Sequence, residues 1–71
     1  MEREIREMTQ GQKDAALCMA SMDGQLAEVR ELLAAGADVH ADNDYAIRAA
    51  TTLGHDEVVR ELQVAMEATR G

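Results

Sequence analysis

The 71-residue chain carries 14 acidic residues against 7 lysines and arginines, a formal net charge of −7. That balance excludes direct nucleic-acid binding and attachment to an anionic membrane, and it favours a partner with a basic surface. The length allows one small domain whose core is Ala, Leu, Val, Ile and Met, since Tyr45 is the only aromatic, and the lone Cys18 excludes a disulfide framework.

Glu2 to about Met8 reads as a short helix with Ile5 and Met8 on one side. Thr9-Gln10-Gly11 ends it, with Gly11 as a left-handed C-terminal glycine. Asp14 then caps a helix from Ala15 to about Met22, whose packing face carries Leu17, Ala20 and Ser21. After the Asp23-Gly24 turn, the spacing predicts a partner helix from Leu26 to Ala34 with Val29, Leu32 and Leu33 inward. Gly36 stops it. Ala37 to Asn43 reads as an extended loop, and Asp44 caps a helix from Tyr45 to Leu53. Gly54-His55 turns the chain into a last helix that starts near Asp56-Glu57, whose carboxylates suit its positive end. Val58, Val59, Leu62, Ala65 and Met66 form its apolar stripe, and Ala68 to Gly71 should fray. Met8 and Met19 read as core or cap contacts, Met22 as an exposed exception. No run is long enough to span a bilayer, and Met1-Glu2-Arg3-Glu4 does not read as a secretory start, so a cytoplasmic protein is expected.

The chain repeats itself. A shift of thirty positions pairs Asp14 with Asp44, Ala16 with Ala46, Leu17 with Ile47, Ala20 with Ala50 and Gly24 with Gly54. It also pairs Val29-Arg30-Glu31-Leu32 with Val59-Arg60-Glu61-Leu62. Such a period means stacked helix pairs, each too small to bury its apolar face alone. Leu32-Leu33-Ala34-Ala35-Gly36-Ala37-Asp38-Val39 and Ala50-Thr51-Thr52-Leu53-Gly54-His55 through Leu62 resemble the ankyrin repeat over roughly Asp14 to Met66. The chain departs from that family in lacking Thr-Pro-Leu-His, where Asp44-Tyr45-Ala46-Ile47-Arg48 stands instead. Its spacing is also shorter than the family's usual period of about 33 residues, which resembles the compact variant of some viral and bacterial ankyrin proteins. The resemblance implies an all-α domain: an N-terminal capping helix over 1–11, one repeat over 14–43 and a second over 44–71. Gln63, where the first repeat has Leu33, fits a terminal unit.

For function, the resemblance implies protein–protein interaction without catalysis, through loop tips and the first helix of each repeat. The implied partner-binding residues are Met22, Asp23, Asp38, His40, Asp42, Asn43, Arg48, Thr52, Leu53 and Asp56, with Cys18 beside them. No cofactor is expected. Cys18 with His40 or His55 is the only thiol–base option, and nothing local supports a triad. Asp38, His40, Asp42 and Asp44 alternate in a way that suggests a cation, but the calcium-loop pattern with its central Gly and terminal Glu is missing. Glu28, Glu31, Glu57, Glu61 and Glu67 read either as a solvated face balanced by Arg30 and Arg60 or as an acidic surface for a basic partner. Three further readings stay open: a small acidic phage-type inhibitor of the anti-CRISPR kind that blocks a nucleic-acid-binding protein, a stand-alone repeat fragment, and a homodimer formed through the face of Val64 and Met66.

Overall fold

The computed structural model describes residues 8–68, and among them the regular elements are four α-helices with no strand. They are α1 (Gln10–Asp23), α2 (Leu26–Ala34), α3 (Ala41–Thr52) and α4 (Asp56–Ala68). Two helix hairpins, α1–α2 and α3–α4, lie side by side, with α1 against α3 and α2 against α4. None of these helices is long and apolar enough to cross a membrane.

Both hairpins turn in the same way. Gly24 and Gly54, thirty positions apart, sit at φ 72° and 77°. The Gly24 N–H donates to the Ser21 carbonyl at 3.3 Å and the Gln25 N–H to that of Ala20 at 3.0 Å. In the second hairpin Gly54 donates to Thr51 at 3.2 Å and His55 to Ala50 at 2.9 Å. A left-handed glycine closes the last carbonyls of a helix by such bonds, because it turns the chain without a Cβ penalty.

The core is one cluster built from every helix. Leu17 and Ala20 come from α1, Val29 and Leu32 from α2, Ala46 and Ala50 from α3, Val58 and Leu62 from α4, all buried. Ala20, Ala46 and Ala50 put small side chains where α1 meets α3, so the two helices lie close together. Ser21 is buried among these residues, and its hydroxyl has no hydrogen-bond partner among the described residues. Ala37 and Val39, expected in an exposed loop, are buried in the same cluster and seal it beneath the α2–α3 connection.

Several local expectations need correction. Gly11 does not end a helix and Asp14 does not start one, since α1 begins at Gln10. Thr9 Oγ1 accepts from the Gln12 N–H at 3.1 Å while Gln12 Oε1 accepts from the Thr9 N–H at 3.0 Å. This reciprocal capping box satisfies two donors at once and outweighs the cost of about 1 kcal/mol for a glycine inside the first turns. The expected helix over 2–8 falls on residues 2–7, outside the described part, as do positions 69–71 of the expected frayed end, while Met8 packs against the core. Asp44 does not cap α3; its carboxylate lies 2.6 Å from His40 Nδ1. The helical run begins at Ala41, interrupted by Asp42, Asn43 and Asp44 at φ 58°, 60° and 64°. Among non-glycine residues, Asn and Asp best tolerate that left-handed region. Met19 is 64% exposed and so not a core contact. Of the pair expected on a self-association face, Val64 is exposed and Met66 packs on the core.

Candidate binding groove

The C-terminal half of α1 and the length of α3 flank a shallow groove of about 390 Å³ lined by Met22, Tyr45, Arg48, Ala49, Thr52 and Leu53. Its spacing follows from helix geometry: Tyr45, Arg48, Ala49 and Thr52 fall on one face of α3 at i, i+3, i+4 and i+7. Met22 is supplied by the last turn of α1, and Leu53 by the residue just past α3. Unlike the core, this face is open to solvent, with Met22 39%, Tyr45 41% and Leu53 55% exposed. The Tyr45 hydroxyl donates to the Met22 sulfur at 3.5 Å, joining the two walls.

Arg48 is the groove's only charged lining residue. Its Nη1 donates to the Asn43 carbonyl at 3.4 Å, a long and weak bond. No carboxylate among the described residues pairs with it, whereas Arg30 pairs with Glu61 at 3.2 Å on the opposite face. The groove floor is fixed from behind. His55 Nε2 lies 2.9 Å from the Met22 carbonyl; since a carbonyl only accepts, Nε2 carries the proton and donates. The ring lies so close to Gly24 that a Cβ there would stand 2.6 Å from His55 Nδ1. His55 therefore ties the second turn to the first through the Met22 backbone and Gly24.

The ten residues singled out from the sequence separate into groups. Met22, Arg48, Thr52 and Leu53 line the groove, with Asp23 next in the chain after Met22 and exposed. Asp38 and His40 lie on the α2–α3 connection and Asp42 and Asn43 in the left-handed start of α3, all outside the lining. On the connection Asp38 Oδ1 accepts from the His40 N–H at 2.9 Å, a local turn-forming bond. Asp56 is exposed at the start of α4, also outside the lining. Tyr45 belongs to the groove although sequence reasoning did not select it; the signal was its being the chain's one aromatic, a turn before Arg48 on the same helical face.

Cys18 lies in a second depression with Gly11, Asp14, Ala15, Ala41 and Asp42. Partial burial pushes its thiol above the usual range, and the Asp42 and Asp14 carboxylates push it further by repelling the thiolate. That environment opposes a nucleophilic role. Among the described residues no group of three His, Cys, Asp or Glu side chains is placed to hold a metal ion. Glu28, Glu31, Glu57 and Glu67 are exposed. No protein-family model matches the chain, and no curated protein and no solved structure matches it either.

Proposed function

We propose that this protein is a two-repeat, ankyrin-like stack that binds another protein without catalysis, and that it does so through the α1–α3 groove. The observation that carries the reading is that three of the five exposed large apolar side chains among the described residues, Met22, Tyr45 and Leu53, line one recess, while Met19 and Val64 lie outside it. Recurrence of the same turn hydrogen bonds thirty positions apart supports the repeat. In such stacks the first helices of successive units lie side by side, and the packing of α1 against α3 supports that reading.

The partner is an amphipathic segment with an apolar anchor and basic flanks. Apolar side chains fill the groove and supply the specific contact. The net charge of −7 draws a basic segment in and speeds encounter, while the contacts in the groove set its lifetime. On this reading Asp23, next in the chain after Met22, Asp38 on the α2–α3 connection and Asp42 at the start of α3 meet the flanks.

A lysine-rich amphipathic peptide, titrated while backbone amide shifts are followed, tests this. Shifts should cluster at Met22, Tyr45 and Thr52, and Leu53→Asp should abolish them with the fold intact, because Leu53 is exposed. Neutralising Asp38, Asp42 and Asp56 together should slow association, most visibly at low salt, where screening beyond about 10 Å is weakest. Binding that ignores both salt and Leu53→Asp would overturn the reading.

A further inference from the structure

Arg48 is an anomaly in so acidic a protein. It stands in an apolar recess with one weak bond to a backbone carbonyl and no carboxylate partner among the described residues, although 14 acids are present in the chain. A guanidinium carries five N–H donors in a planar fork that matches a carboxylate two bonds at a time. Most of that fork is unused. Beside it, the Thr52 hydroxyl can both donate and accept.

We propose that the groove captures the C-terminus of a partner chain, with the last apolar side chain against Met22, Tyr45 and Leu53 and the terminal carboxylate on Arg48. This inference rests on the groove being the binding site. The geometry favours a terminus over an internal acid for a specific reason. A last residue carries its side chain and its carboxylate on one Cα, so both enter a single recess of about 390 Å³. In an extended internal segment the side chain next to the anchor points to the opposite face, and the nearest acid on the same face is two residues, about 6.6 Å, away, farther than a terminal carboxylate on the anchor's own Cα. Basic residues upstream of the terminus then lie over the acidic surroundings. The two charge signals are thereby reconciled: one anion at Arg48, cations outside the groove.

The test uses three peptides that share upstream lysines and a short neutral spacer. The first ends in leucine with a free carboxylate, the second ends in leucine amide, and the third is amidated with an internal aspartate before its leucine. The free acid should bind about tenfold more tightly than the amide, about 1.4 kcal/mol. Arg48→Gln should remove that preference, so that acid and amide bind alike; a preference for the free acid that survives Arg48→Gln would overturn the assignment. Equal binding of acid and amide, both lost in Leu53→Asp, would overturn the terminal-carboxylate assignment and leave the groove standing. If the internal aspartate peptide binds as tightly as the free acid, the carboxylate is not a terminal one and the proposal fails. Failure of all three peptides to shift any groove residue would overturn both the proposal and the groove reading.

Discussion

Replacing Gly24 by alanine should destabilise the protein markedly more than the same change at Gly54, although the two glycines hold equivalent turns. Both have left-handed φ, 72° and 77°, so each substitution carries a similar backbone penalty of about 1 kcal/mol. The gain from restricting the unfolded chain is also the same at both sites and cancels in the comparison. What differs is the space. A Cβ at Gly54 meets nothing within 4 Å, while one at Gly24 would lie 2.6 Å from His55 Nδ1 and 2.7 Å from Cε1. The ring must swing away and give up its bond to the Met22 carbonyl, a further loss of about 1 kcal/mol. Gly24→Ala should therefore cost about 2–3 kcal/mol and lower Tm by about 10–20 °C, against about 4–8 °C for Gly54→Ala. Thermal unfolding followed by far-ultraviolet circular dichroism measures both. In a His55→Ala background the two glycine substitutions should become equal, because the crowding is gone. Equal effects in the wild-type background, or an excess at Gly24 that survives removal of the imidazole, would refute the account of how the turns are locked together.

Three further outcomes follow from the core and the thiol. Leu32→Ala, at a fully buried position shared by the whole cluster, should cost about 2–5 kcal/mol and leave much of so small a domain unfolded at room temperature, read by chemical denaturation. Ser21→Ala should leave Tm unchanged or raise it, since the substitution removes a buried hydroxyl that has no partner among the described residues; a drop of several degrees would show that the hydroxyl is satisfied after all. Cys18 should react with iodoacetamide more slowly than a small free thiol at neutral pH. Its pKa is raised by folding, so folding disfavours the thiolate: that site leaves stability untouched well below the ordinary thiol range and lowers it as pH climbs through that range.

What the sequence made legible was periodic. The 3.6-residue apolar spacing marked α2 from Leu26 to Ala34, and the paired glycines marked both hairpin turns. Legibility failed where a side chain overrides a propensity. Gly11 signals a stop, yet the Thr9–Gln12 box carries the helix through it. Ala37 and Val39 have no helical partners in spacing, so their burial could be recognised only once the connection was folded over the core. Met22, Arg48, Thr52 and Leu53, named from the sequence, line one groove. Tyr45 went unselected because its place beside Met22 comes from the packing of α3 on α1 and is not written in its local spacing. That no carboxylate among the described residues pairs with Arg48 is a property of three-dimensional placement, invisible along the chain.

The first turn of α1 does more than begin a helix. Lys13 Nζ donates to the Ala35 carbonyl at 2.9 Å, Gln10 Nε2 donates to that of Gly36 at 3.0 Å, and Asp14 Oδ1 accepts from the Asp38 N–H at 2.8 Å. Three side chains from one turn thus hold backbone groups at the end of α2 and the start of the connection, more than twenty residues away in sequence. Anything that unwinds this end of α1 frees the segment bearing Asp38 and His40 in the same event. The Asp38 amide should then exchange with solvent hydrogen in step with the amides at the start of α1, and the acidic connection is as ordered as the helix end that grips it.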